Sequence, residues 1–169
     1  MKDLIQKIEQ WAEDRNIING SKPIDQAMKL FSEFGELADN VGKGRDCRDD
    51  IGDVFVVLTI IYKQLGKSIK NVFYEDLPKI SNIKDEICWL GYGLCSELAS
   101  DIETGRFEGD LDCEVSRLNG IAVHFGYTLQ ECVQIAYDDI KDRKGVMYNG
   151  VFVKSTDAKY EEILKELGK

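Results

Sequence analysis

Ile24-Asp25-Gln26-Ala27-Met28-Lys29-Leu30-Phe31-Ser32-Glu33-Phe34-Gly35-Glu36-Leu37-Ala38-Asp39-Asn40-Val41 is followed, past Gly42 and Gly44, by Asp49-Asp50-Ile51-Gly52-Asp53-Val54-Phe55-Val56-Val57-Leu58-Thr59-Ile60-Ile61-Tyr62. In the first run Ile24, Ala27, Met28, Phe31, Phe34, Ala38 and Val41 recur at helical spacing and form its expected core face. Ser21 and Pro23 are start signals, and Gly42 and Gly44 close the helix. The second run is β-branched enough to suggest a strand, and its period does not discriminate. Its length does. With Lys63-Gln64-Leu65 it reaches about 17 residues before Gly66, starting at Arg48 or Asp49, which is too long for an ordinary strand. A helix that is apolar all round belongs in the middle of a bundle.

Before these runs, Leu4, Ile5, Ile8, Trp11 and Ala12 predict a helix over about 2–15, broken by 16–22. After them, helices are expected at about 68–77, 83–103, 110–125 and 128–143, with Gly105, Gly109 and Gly126 at the turns. Val146 to Val153 centres on Asn149-Gly150, the dipeptide of a tight hairpin, and a polar helix follows at about 157–167. The expected fold is an all-α helical bundle with a small C-terminal β-hairpin, in one domain over 1–169.

The chain has 169 residues, a net charge of −9, and 43% hydrophobic and 31% charged residues, so it is an ordered globular chain. An acidic balance argues against binding a nucleic acid polymer or an anionic membrane surface, which needs excess Lys and Arg. The N-terminal residues lack the apolar core of a signal peptide, and the longest apolar run, 54–61, is far short of the roughly 20 residues that span a bilayer. A cytoplasmic location is expected. Five cysteines without a C-x-x-C pair and a single histidine, His124, give no zinc signature. Cys88, Cys95 and Cys132 sit among apolar neighbours and read as small core residues; His124 reads as a packing or surface residue.

Glu33 and Glu36 are three apart on one helix, and Asp50 and Asp53 repeat that spacing on the next, so each pair lies along one helical face. Four converging carboxylates repel unless a hard cation lies among them, and Mg²⁺ suits oxygen ligands, with Mn²⁺ as a substitute. The plainer alternative is that Asp49 and Asp50 complement the positive end of the third helix and Glu33 is solvated. Asp53 fits that alternative poorly, because it opens an apolar segment where an unpaired carboxylate is costly to bury. Lys29, Glu33, Glu36, Asn40 and Lys43 form one stripe, either a solvent face or a carboxylate pair flanked by cations for phosphate oxygens. Lys141, Arg143 and Lys144 are a local positive cluster, able to meet phosphates or to act as surface charge. Trp11 is either a core residue or a stacking surface for a base. Gly66-Lys67-Ser68 is no P-loop, since residue 61 is Ile where that loop needs Gly.

The segments Leu30 to Asp39 and Asp49 to Leu58 resemble the E-x-x-E … E-x-x-D signature of MazG-like and all-α dUTPase-related pyrophosphohydrolases, over residues 24–62. That resemblance implies that Glu33, Glu36, Asp50 and Asp53 bind Mg²⁺, with Asp50 standing where the pattern usually has Glu. It also implies that Lys43 matches a lysine common in that connection. Trp11 to Asn16 and Gln26 resemble the nucleotide-side helix and loop of the superfamily, and Tyr137 to Gly145 with Asn149 to Lys154 resemble the C-terminal segment of phage-type members. The implied activity is hydrolysis of a (deoxy)nucleoside triphosphate to the monophosphate and pyrophosphate, with Glu36 as base. The alternative is a non-catalytic helical nucleotide- or protein-binding module. A di-iron carboxylate bundle would need Glu-x-x-His pairs. The expected partners are the nucleoside triphosphate and further copies of the chain, as a homodimer or homotetramer. Finally, Gly35-Glu36-Leu37-Ala38 returns as Ser96-Glu97-Leu98-Ala99, and Leu58 and Gly66 as Leu118 and Gly126. This suggests repeat halves 24–78 and 84–143, or a chance match of helical patterns, with no complete acid set in the second half.

Overall fold

The computed structural model describes residues 1–69, 80–104 and 111–168, and the helix expected at 68–77 and the turn glycines Gly105 and Gly109 fall at or beyond those limits. The fold is all-α with a two-stranded antiparallel hairpin. In chain order it runs α1 (Lys2–Asp14), α2 (Ile17–Gly20), α3 (Pro23–Lys43), α4 (Arg48–Gln64), α5 (Ile83–Thr104), α6 (Asp112–His124), α7 (Leu129–Ile140), β1 (Gly145–Tyr148), β2 (Val151–Lys154) and α8 (Tyr160–Glu166). No helix among the described residues is long and apolar enough to cross a membrane.

As its composition requires, α4 is the central element. Ile51, Gly52 and every residue from Val54 to Tyr62 are buried, and α4 packs on α1, α2, α3, α6 and α7. One continuous apolar cluster takes side chains from α1 through α7 and Met147 of the hairpin. Two polar ties set α3 and α4 antiparallel. Near one end Asn40 Nδ2 donates to Asp50 Oδ2 at 2.8 Å, and at the other Gln26 Nε2 and Gln64 Nε2 both donate to Ser21 Oγ, at 2.9 and 3.1 Å. Residues 26, 33 and 40 therefore run opposite 64, 53 and 50.

Several expectations need correction. The buried face of α3 is Gln26, Ala27, Leu30, Glu33, Leu37 and Val41, whereas Met28 is 55% exposed. The apolar arc is simply rotated, with Leu30 and Leu37 at its centre and Phe31 and Phe34 at its edge. Gly42 lies inside α3; Gly44, with φ +67, is the left-handed cap that ends it. The 16–22 break contains the short helix α2. Cys88 and Cys95 are exposed, because α5 is apolar on both sides and only one side meets the core; Cys132 is buried. Gly66 and Gly126 end α4 and α6 with matching left-handed caps, at φ +68 and +81.

Where α7 meets α4 the backbones come unusually close. A Cβ at Gly52 would stand 2.2 Å from the Cys132 carbonyl oxygen and 2.7 Å from Ala136 Cβ. By contrast a Cβ at Gly42 meets nothing within 4 Å. Gly52→Ala should therefore lower stability by about 2 kcal/mol or more through overpacking. Gly42→Ala should raise it by about 0.5–1 kcal/mol through helix propensity. Urea unfolding of the two variants measures both signs in one experiment.

Candidate functional site

Acidic residues on α3 and α4 crowd around Glu33. Its side chain is buried at 5% exposure and ion-paired with Lys29 one turn earlier. Asp53 faces it across the helix pair, and burial, followed by the charges of Glu33 and Asp49, pushes its carboxyl up to about 7. Asp50 is raised first by burial and then by Glu33, while the Asn40 amide draws it back. Asp49 is raised by partial desolvation, then by Asp139, Asp50 and Glu33, with Arg143 opposing. One buried carboxylate is thus common to the surroundings of three others. Sequence reasoning assigned Asp49 only to the helix dipole; its place one turn before Asp53 was the available signal.

Glu33 and Asp53 open into a cavity of about 340 Å³, shared with Trp11, Ile17, Asp25, Gln26, Lys29, Val56, Val57, Ile60, Ile140, Arg143, Met147, Gly150 and Phe152. Along α3 the polar liners Gln26, Lys29 and Glu33 stand on successive turns spanning about 10 Å. Since α4 runs the other way, Asp53 lies at the Glu33 end and Ile60 at the Gln26 end. The cavity therefore carries Glu33 and Asp53 at one end, and Gln26 and Asp25 among apolar side chains at the other.

The cavity wall opposite α3 is fixed by the end of α7. Trp11 Nε1 donates to the Ile140 carbonyl at 2.9 Å. Arg15 lies 4.9 Å over the Trp11 ring and donates from Nε to the Arg143 carbonyl and from Nη2 to the Lys141 carbonyl, at 2.7 and 2.9 Å. These donors satisfy carbonyls that a helix C-terminus leaves open. The hairpin is then tied to the α1–α2 connection by Met147 N to Arg15 O at 2.7 Å, Asn16 Nδ2 to Met147 O at 2.9 Å and Gly150 N to Gly20 O at 2.8 Å. Met147, Gly150 and Phe152 join the cavity wall through tertiary contacts that no local pattern signals.

The remaining residues singled out from sequence divide as follows. Gln26, Lys29 and Arg143 line the cavity with Trp11. Arg143 is also paired with Asp139, Lys141 with Asp138 and Lys43 with Asp39, so these cations are partly neutralised by local acids. Lys144 is exposed, and Lys43 and Lys141 lie outside the cavity lining. Glu36 is exposed and outside it too, because three helical residues leave it about 60° round α3 from Glu33, on the exposed flank. Among the described residues no three His, Cys, Asp or Glu side chains stand together as a ready metal site.

Comparison with known proteins gives one short likeness. An uncharacterized 18.2 kDa protein from the rep-hol intergenic region of Haemophilus phage HP1 is 50% identical over 66 residues, which is 38% of this chain and 40% of that protein. No family model and no solved structure matches the chain.

The raised Asp53 carboxyl has a thermodynamic consequence. The folded state holds its proton up to about pH 7, whereas the unfolded chain releases it near 3.8. Asp53 therefore stabilises the fold least above pH 7, and stability falls as pH rises between those values. In metal-free protein Asp53→Asn should melt several degrees higher than wild type at pH 8, and the gap should shrink by pH 5. Equal melting temperatures at pH 8 would show that Asp53 is not electrostatically strained.

Proposed function

We propose that this chain hydrolyses a nucleoside triphosphate to the monophosphate and pyrophosphate with the help of Mg²⁺. The observation that carries this reading is the cavity itself, where Glu33 and Asp53 share one end with Lys29 and Arg143 while apolar side chains, Trp11, Gln26 and Asp25 line the rest. A nucleotide has the same division, with a heterocycle at one end and a charged phosphate chain at the other.

The acids fit a hard cation by their chemistry. All are oxygen donors, and the carboxyls of Asp49, Asp50 and Asp53 are raised first by burial and then by their acidic neighbours. Glu33, Asp50 and Asp53, with Glu36 on the turn after Glu33, are the residues that would hold it. Bound there, Mg²⁺ would neutralise phosphate oxygens and acidify a water. Lys29 and Arg143 supply donors to the same phosphate oxygens, and Arg143 can exchange its Asp139 partner for them. Trp11 has its indole N–H fixed on Ile140 and Arg15 over its ring, which leaves the side that lines the cavity to pack against a base. The Gln26 amide can hydrogen-bond the base or sugar. The resemblance names Glu36 as proton acceptor; of the four acids only Glu33 and Asp53 line the cavity, and Glu33 is engaged by Lys29. Asp53 is therefore the acceptor we favour for the proton of the attacking water.

Incubating the protein with each common (d)NTP and Mg²⁺, and resolving products by ion exchange, tests the reading. Monophosphate and pyrophosphate should form from at least one substrate, EDTA should abolish turnover, and Mn²⁺ should partly replace Mg²⁺. Glu33→Gln and Asp53→Asn should each lower kcat by about 100-fold or more without lowering the melting temperature of the metal-free protein. Release of diphosphate and phosphate as the only products would sink it. Saturable nucleotide binding without turnover would leave the binding-module alternative.

A further inference from the structure

The polar side chains at the Gln26 end of the cavity are set to accept hydrogen bonds rather than to give them. Gln26 is buried at 5% exposure, and its amide is oriented by one oxygen. Nε2 donates to Ser21 Oγ at 2.9 Å; that oxygen also accepts from Gln64 Nε2 at 3.1 Å, and its own proton goes to the Ile17 carbonyl at 2.7 Å. A hydroxyl has one proton and two lone pairs, so Ser21 has nothing left to offer. Turning the Gln26 amide over would set oxygen against oxygen with no proton between them. Oε1 is therefore the atom presented to the cavity, and it accepts no hydrogen bond from the described residues. Asp25, its neighbour in the cavity lining, adds a second acceptor. Asp25 Oδ2 takes the Lys22 N–H at 2.8 Å, and the hairpin turn reaches the carboxylate with Gly150, which has no side chain to cover it. The N–H groups around them are engaged elsewhere, Met147 N on Arg15 O, Gly150 N on Gly20 O and Trp11 Nε1 on Ile140 O. Lys29, the next polar liner along α3, is drawn to Glu33 at the acidic end.

We propose that Gln26 Oε1 and the Asp25 carboxylate select guanine, so that the ligand of the cavity is a guanine nucleotide. The inference rests on the nucleotide reading and narrows it to one base. Along its pairing edge guanine carries two adjacent donors, the ring N1–H and the 2-amino group. Adenine and cytosine each set one amino group beside a ring nitrogen that accepts, and uracil and thymine set one N–H between two carbonyls. Where guanine brings its second donor, every other common base brings a lone pair. Against two acceptors in a buried site, that lone pair leaves a polar group unsatisfied, which is how a hydrogen-bonding pocket rejects the wrong ligand. Guanine has a proton for each acceptor, and its bonds to the Asp25 carboxylate are strengthened by the charge.

Titration calorimetry of the full chain with GMP, IMP, AMP, CMP and UMP, in ribose and deoxyribose forms with Mg²⁺, tests this without any turnover. IMP is the decisive probe, because its base is guanine without the 2-amino group. In at least one sugar series GMP should bind about tenfold or more tightly than IMP and than the other three. Asp25→Asn keeps an oxygen to cap Lys22 N and places an N–H donor where the other oxygen stood. It should shrink the GMP-to-IMP ratio to about threefold or less, a ratio in which any general loss of binding cancels. Guanine-selective binding supports the proposal even if no triphosphate is turned over, a result that would remove only the hydrolytic part of the nucleotide reading. Equal binding of GMP and IMP, preference for another base, or a ratio that survives Asp25→Asn would overturn the proposal and leave that reading standing. Failure of every nucleotide to bind would overturn both.

Discussion

The close seat of α7 on α4 is the constraint from which the rest of the molecule follows. Because Gly52 has no side chain, the α7 backbone at Cys132 and the methyl of Ala136 come within the space a Cβ would fill. That seat fixes the far end of α7, where Ile140 and Lys141 present their carbonyls to Trp11 and Arg15 of the first helix and its cap. Residues 143–152 then leave α7 in a defined direction and lie across α2 and the start of α3. A buried glycine in the middle of an apolar helix thus determines where an arginine and a hairpin stand on the other side of the cavity.

The acidic end of the cavity works against the same packing. Glu33 is buried between α3 and α4, and Asp49, Asp50 and Asp53 are each harder to ionise, first because burial desolvates them and then because they feel its charge. A fold selected for stability alone would place leucine at one of these positions. Lys29 and Asn40 offset part of the repulsion by an ion pair and an amide hydrogen bond. The large apolar area buried around α4 carries the remainder. Stability and the charged end of the cavity are therefore set by adjoining residues of the same helix, with Gly52 serving one and Asp53 the other.

The sequence made α4 readable because two signals agreed, length beyond a strand and apolar residues on every side. It was less informative where an apolar helix has two faces. On α3, Met28 and Leu30 are equally hydrophobic, and only the partner helices decide that Leu30 is inside. On α5, Cys88 and Cys95 have apolar sequence neighbours yet point away from the core. At the site, the three-residue spacing draws attention to Glu33 and Asp53, which line one cavity. It could not show that Glu36 turns onto the exposed side of α3, or that Asp49 joins the charge cluster through Asp139 and Arg143 of a later segment. Met147 reads only as part of a hairpin, and Phe152 as that and as part of a segment resembling the C-terminus of phage-type members, because their place in the cavity wall depends on where that hairpin docks. Local pattern gives an element and its period; the facing of each residue comes from packing.

The cavity is assembled from both ends of the described chain. Trp11 and Ile140, joined by one hydrogen bond, are 129 residues apart. Contacts of such separation form late, since the loop they close is costly before other structure shortens it. During synthesis the first four helices can associate as soon as they leave the ribosome, with Glu33 and Asp53 already side by side, but the wall carrying Arg143 and Phe152 does not yet exist. A nascent chain therefore exposes its acidic cluster to solvent and its α4 surface to other chains. The cavity closes only when the hairpin arrives, so its completion waits on residues made roughly 130 positions after Trp11.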